Sequence, residues 1–296
     1  MTNLDSPLFS GAITALVTPF KNGKLDEKCF QDLLERQINL GINGVVPVGT
    51  TGESATLNDK EHWRVFELAV EVSNKRVPVI AGCGSNDTIA AIEHTEMAKK
   101  LGADGALHVA PYYNKPNQRG IIAHFNAICD AVDLPIVVYN IPGRTGIDIL
   151  PATLGEIAKH KNIVALKDSA GDPSRTVLNY AACKEGFTVL SGDDNHNLGF
   201  AAYGAKGAIS VLSNIMPKEA AEFQTLVKNG NFAAARALNA KIDILQRAIF
   251  TEPGLVCTKW VMAEMGLCSP EVRLPLVEIS DESKKIIKDA MIKAGL

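Results

Sequence analysis

From Gly11 onward, short apolar runs rich in β-branched residues alternate with longer stretches whose apolar residues recur at helical spacing. That alternation is the sequence sign of repeated βα units, which bury a parallel sheet beneath helices. The runs stand near residues 13–17, 44–48, 77–82, 105–110, 134–139, 163–167, 188–191 and 208–211. They number about eight, the count that closes a barrel, and 296 residues accommodate a barrel of roughly 250 with an appendage. The expected fold is therefore α/β: a (β/α)8 TIM barrel over residues 1–228, followed by a C-terminal helical extension over 229–296.

The intervening stretches carry their own punctuation. Asp26 stands where an N-cap belongs, ahead of Phe30, Leu33, Leu34 and Ile38 on one helical face, and Gly41 follows where a left-handed residue ends a helix. Asn58 and Glu61 have capping-box spacing before Trp63 and Phe66. Gly41-Ile-Asn-Gly44, Gly102-Ala-Asp-Gly105 and Gly204-Ala-Lys-Gly207 echo one another at helix-to-strand turns, a weak internal repeat. Beyond residue 217 only helical periodicity remains, predicting helices over 218–228, 232–250, 256–265 and 281–293. Ser280 opens the last of these and Gly295 closes it.

Charge and cysteine usage narrow the partners. A net charge of −3, with no long basic run, offers neither a nucleic-acid surface nor a membrane-binding patch, so small molecules are the expected partners. Six cysteines lie scattered without CxxC pairs or zinc-type spacing, and read as small hydrophobes in a reducing compartment with no metal site. Met1–Ser10 lacks the basic start and apolar core of a signal peptide, and no apolar run is long enough to span a bilayer. A cytoplasmic location is expected.

In such barrels chemistry sits just past the carboxyl ends of the strands. There the sequence offers Thr50 and Thr51, Pro111-Tyr112-Tyr113-Asn114, Tyr139-Asn140 with Arg144, Lys167-Asp168, and Ser191-Gly192-Asp193-Asp194. The run Ile163-Val164-Ala165-Leu166-Lys167 is apolar on both faces until its lysine. Lys167 reads either as the first polar residue past the strand or as an ammonium held where burial is costly. Tyr139 shares the parity of Val137 as Lys167 shares that of Ala165, and adjacent strands lie roughly 4.8 Å apart, so phenol and amine are expected within hydrogen-bonding reach. A desolvated lysine keeps some free amine to attack a carbonyl, and a tyrosine beside it can shuttle the protons of carbinolamine formation and dehydration. Together they point to Schiff-base chemistry on an oxo acid.

Other features carry less. Gly49-Thr-Thr-Gly-Glu-Ser54 lacks the lysine of a phosphate loop, and Arg144, on a tight loop, suits capture of a carboxylate. Cys83 has no histidine placed to activate it and reads as buried filler. Asp193 and Asp194 read as acids complementing a helix dipole, and His62 as a surface helix residue.

Taken in order and spacing, Gly49-Thr-Thr-Gly-Glu-Ser54, Pro111-Tyr-Tyr-Asn114, Tyr139-Asn-Ile-Pro-Gly-Arg-Thr145 and Ala165-Leu-Lys-Asp168 resemble the dihydrodipicolinate synthase family over residues 11–276. The resemblance implies a (β/α)8 barrel that condenses pyruvate with aspartate 4-semialdehyde, at the entry to diaminopimelate and lysine, with no metal or organic cofactor. By motif position, Lys167 would form the pyruvate Schiff base and Tyr139 would act as acid and base above it. Thr50 and Tyr113 would complete the proton relay, the tyrosine reaching in from a neighbouring subunit of a homodimer. Family members are usually tetramers. Thr51 would hold the pyruvate carboxylate and Arg144 that of the semialdehyde, while Gly192 and Ile209 would line the pocket through their backbones.

Two departures stand out. Lysine-inhibited members of the family carry a histidine and a glutamate where this chain has Asp59 and Ala90, although Ser54, Ala55, His62, Asn86 and Tyr112 keep matching or compatible types. Weak or absent lysine inhibition is expected. An Asn-Pro segment frequent in the family is replaced by Glu252-Pro253-Gly254-Leu255 ahead of Lys259, which alters the local cleft wall. Sister enzymes such as N-acetylneuraminate lyase or the 2-keto-3-deoxy sugar-acid aldolases share the lysine, and Arg144 in its Pro-Gly-Arg-Thr setting argues for the synthase. A binding protein that had lost catalysis would carry a broken relay, and here every relay position is filled.

Overall fold

The computed structural model describes residues 7–296, so most of the N-terminal segment weighed for a signal peptide lies outside the described residues. Eight strands form one parallel sheet: β1 (Gly11–Ala15), β2 (Gly44–Val46), β3 (Ile80–Gly82), β4 (Gly105–Val109), β5 (Ile136–Asn140), β6 (Ile163–Asp168), β7 (Thr188–Ser191) and β8 (Gly207–Ser210). β8 returns to β1, with Ile209 opposite Ile13. Between β2 and β3 the pairing narrows to one bridge, Val45 with Val79, supported by hydrogen bonds from Val45 N–H to Pro78 O and from Gly82 N–H to Pro47 O, each at 3.0 Å. That seam closes the barrel.

β3 starts later than its apolar run because Pro78 has no N–H to give to a ladder. A small hairpin not expected from the sequence follows β1, pairing Phe20–Lys21 with Lys24–Leu25. Its turn is Asn22-Gly23, both with positive φ (55° and 77°), as a two-residue hairpin requires.

Inside the barrel Ile13, Ile80, Val137, Ala165, Leu190 and Ile209 interdigitate, all nearly inaccessible to solvent. Phe9 packs at the amino-terminal end, where a Cβ on Gly105 would lie 2.6 Å from its ring. Outside run α1 (Glu27–Asn39), α2 (Asp59–Ser73), α3 (Thr88–Leu101), α4 (Gln118–Ala131), α5 (Pro151–Ile157), α6 (Arg175–Ala182), α7 (Asn197–Ala202) and α8 (Pro217–Lys228). Asp26 caps α1 by accepting from Cys29 N–H at 3.1 Å, and Asn58 with Glu61 forms the capping box of α2. Gly41, Gly102 and Gly204 have φ of 89°, 92° and 94°, the left-handed geometry that the three echoing turns require.

Three helices follow: α9 (Phe232–Ala248), α10 (Gly254–Glu264) and α11 (Asp281–Ala294). Ser280 caps α11 by accepting from Ser283 N–H at 3.2 Å. Their core, which includes Leu245, Val261 and Ile287, takes in Val17 and Leu212. Those two residues lie just past the carboxyl ends of β1 and β8, so the helices are anchored beside the mouth where chemistry is expected.

Candidate active site

The register of β5 and β6 sets Tyr139 directly opposite Lys167, and both side chains turn into the barrel. Each is 6% exposed. Lys167 Nζ lies 4.0 Å from the centroid of the Tyr139 ring, so the amine rests on the ring face instead of bonding to the hydroxyl as the sequence led us to expect. The reason is reach: from equal heights on neighbouring strands, the long lysine stem carries its nitrogen over the ring. A ring face stabilises a cation by a few tenths to about 2 kcal/mol, and among the described residues no carboxylate pairs with Lys167. The two buried lysines of the chain differ in this respect, since Lys259 is paired with Glu53 at 2.7 Å.

Loops from several strands enclose a cavity of about 100 Å³ over this pair. Thr50 and the buried Thr51 line it from the loop after β2. That loop folds on itself, with Gly52 and Ser54 N–H both bonded to Gly49 O and Glu53 N–H to Thr50 O. The Gly52, Glu53 and Ser54 amides are thereby spent within the loop, and those of Thr50 and Thr51 are not. Arg144 reaches the cavity from a helical turn over Pro142–Thr145, where the sequence reading had a loop.

Gly192 stands beside Lys167, and its N–H donates to Asp168 O at 2.8 Å. Asp168 is buried and bonded by Ala170 N–H at 3.0 Å and Asn179 Nδ2 at 3.1 Å, so it shapes the turn after β6; burial pushes its carboxyl upward. Asp194 is also buried and pushed upward by desolvation. It accepts from Val211 and Leu212 N–H at 2.9 and 2.8 Å and from Asn197 Nδ2 at 3.4 Å, so the acid ties the turn after β8 to the first residue of α7.

The remaining residues singled out by the sequence divide into three groups. Ser54 lines the cavity, whereas Ile209 is wholly buried within the barrel. Tyr113 is 88% exposed with φ 67°, and neither it nor Tyr112 belongs to the cavity lining. Ala55, Asn86 and His62 also lie outside the lining. His62 is not a surface residue: it is 5% exposed, its Nε2 lies 3.0 Å from Gly82 O, and its ring packs 4.8 Å from Phe66 and 4.6 Å from His94. Burial lowers its pKa to about 4. Cys83 is buried as expected, with its thiol pushed far above the ordinary range by desolvation.

Sequence reasoning missed Phe250, which joins Gly254 and Leu255 in the cavity wall. It also missed Ser169, whose hydroxyl is buried without a partner where a Cβ on Gly192 would stand. Ser169 follows Lys167 by two residues, a position that could have flagged it. Among the described residues no group of three or more His, Cys, Asp or Glu side chains gathers as a metal site would need, and no helix is long and apolar enough to cross a membrane.

A closed (β/α)8 barrel with a lysine stacked on a tyrosine at its carboxyl end, under a threonine loop and an arginine, has the build of a barrel lyase acting on small carbonyl compounds. Residues 8–294 match the profile of the Dihydrodipicolinate synthetase family, and the chain belongs to that family. It is 49% identical to the 4-hydroxy-tetrahydrodipicolinate synthase of Ruegeria pomeroyi over 98% of this chain and 100% of that protein. The corresponding synthase of Thermodesulfovibrio yellowstonii is 47% identical over 98% of this chain and 99% of its own. Among solved structures, the chloride-inhibited dihydrodipicolinate synthase of Acinetobacter baumannii complexed with pyruvate superposes with a TM-score of 0.94 at 42% identity, covering 97% of this chain and 99% of that one. The protein is accordingly an enzyme of the lyase type on the lysine and diaminopimelate route.

Proposed function

We propose that this enzyme condenses pyruvate, bound as an imine on Lys167, with aspartate 4-semialdehyde to give 4-hydroxy-tetrahydrodipicolinate. The Lys167 amine adds to the keto carbon of pyruvate, and the carbinolamine loses water to form the imine. Loss of a methyl proton gives an enamine whose carbon bonds to the aldehyde carbon of the semialdehyde, and the aldehyde oxygen takes a proton to become the hydroxyl. Attack of the semialdehyde's amino group on the imine carbon then closes the ring and releases Lys167. Tyr139 moves the protons, relayed through Thr50 and Tyr113. Thr51 holds the pyruvate carboxylate, Arg144 takes the carboxylate of the second substrate, and Gly192 lines the pocket through its backbone, with Ile209 packed in the barrel interior. This chemistry draws its electron sink from the imine and calls for no metal or organic cofactor.

The observation that carries this reading is the buried amine on the face of Tyr139, opening into the cavity that Thr50, Thr51 and Arg144 line. Borohydride reduction in the presence of pyruvate, followed by mass spectrometry, tests it. An adduct on Lys167 is expected; an adduct elsewhere, or none, overturns the mechanism. Arg144→Ala is expected to raise the KM for the semialdehyde about tenfold or more and to leave the adduct intact, since a charge-assisted pair is lost from one substrate alone.

A homodimer, by itself or paired again into a tetramer, completes the site by bringing Tyr113 from a second copy. Supporting this is a tyrosine almost fully exposed yet held in the left-handed region, a costly conformation of the kind that gathers at functional sites. Lysine is expected to inhibit weakly or not at all, given Asp59 and Ala90, and millimolar inhibition in a steady-state assay would refute that. We assign the protein to the cytoplasm, in keeping with its six free cysteines, and assign it no nucleic-acid or membrane partner. Residues 229–296 act as an extension that walls the cleft rather than as a separate catalytic unit, a reading supported by Phe250, Gly254 and Leu255 in the lining.

A further inference from the structure

The loop after β2 holds two non-glycine residues in the left-handed region, Val48 with φ 56° and Glu53 with φ 57°. Such a backbone is unfavourable, above all for a β-branched residue, and persists where surroundings over-determine it. Thr50 and Thr51 lie between these two points.

What fixes the far end of the loop comes from the C-terminal helices. Glu53 is 4% exposed and turned away from the cavity. Its carboxylate accepts from Lys259 Nζ at 2.7 Å and from Arg273 N–H at 3.0 Å. Lys259, fully buried on α10, also donates to Thr18 O at 2.9 Å, and the Thr18 hydroxyl donates to Gly52 O at 2.7 Å. One ammonium therefore grips the loop twice, at Glu53 by charge and at Gly52 through Thr18. The Arg273 guanidinium secures the next turn by donating to Thr56 O at 3.0 Å and pairing with Glu61 at 2.6 Å.

We propose that Lys259 and Glu53 are positioning residues for the reaction, holding Thr50 and Thr51 over Lys167 from the C-terminal extension. A fully buried ion pair is a poor source of stability, since apolar groups of the same size serve as well or better. What the pair supplies and apolar groups do not is direction: it sets the height of Gly52 and Glu53, and so of the threonines before them. This assignment rests on the roles proposed for Thr50 and Thr51.

The test uses the full chain with Glu53→Gln, Lys259→Met and the double variant. Each single change leaves a buried charge without its counter-charge and should lower Tm, whereas the double removes both charges and should regain much of it. If the pair positions the loop, the double variant nevertheless keeps a pyruvate KM raised about tenfold or more, and a borohydride-trapping rate lowered in proportion, because a misplaced binding group is not restored by stability. Glu53→Gln retains the loop's hydrogen-bonding shape and should show a smaller change of the same sign, giving a reading even if Lys259→Met folds poorly. KM and trapping rate that recover with Tm, or that never move, overturn the proposal. Absence of a Lys167 adduct in the unaltered enzyme overturns the mechanism instead, so the two failures are distinct.

Discussion

Gly192 leaves no room for a methyl group. A Cβ there would collide with Ser169 Oγ and lie 3.1 Å from Lys167 Cε. Gly192→Ala should therefore displace the lysine stem, lowering kcat by about tenfold or more while costing about 1–3 kcal/mol of stability as an overpacked site does. Steady-state rates beside chemical denaturation check this, and unchanged turnover would mean that the stem has slack. Lys167 and Tyr139 were legible because strand parity alone aims both inward. Their stacking was not, since it depends on how far one side chain runs past another. His62 was misread although a signal existed: it stands four residues before Phe66 on α2, and helical spacing puts the two on one face.

At the scale of elements, the caps carry a measurable share of stability. Ser280 caps α11 and donates through its hydroxyl and its N–H to Glu252 at 2.7 and 2.9 Å, tying the helix to the segment before α10. Ser280→Ala should cost about 1–2 kcal/mol by urea denaturation, toward the upper end for an N-cap because the hydroxyl has two jobs. A loss below a few tenths would show that water replaces it. Helix starts were readable because a cap is a local signal. The Phe20–Leu25 hairpin was not read, although Asn22-Gly23 is a strong turn dipeptide, because its paired segments are two residues long and carry no alternation. α10 is buried on nearly every side, so its periodicity gave its position without saying what Lys259 meets.

For the whole molecule, three buried histidines set an acid limit. Desolvation lowers His62 and His124 to about 4 and His108 to about 3, from 6.5. Below pH 6.5 the unfolded chain binds protons that the folded one refuses, so stability should fall steadily from about pH 6.5 toward pH 4. Asp168 and Asp194, pushed upward by burial, oppose this nearer the carboxylate range. Thermal melts at pH 7.5, 6 and 5 should give a falling Tm, and a flat profile would contradict the burial of these rings. The barrel and its closure were legible from counting strands, whereas the narrowness of the seam was not, because no residue pattern announces a single bridge. That seam has a kinetic consequence. Amides along residues 44–48 and 78–82 share few hydrogen bonds across it, while β5 and β6 are paired along their length. Deuterium should therefore enter the β2–β3 staves first, and the stave that opens most often is the one that leads into the loop bearing Thr50 and Thr51.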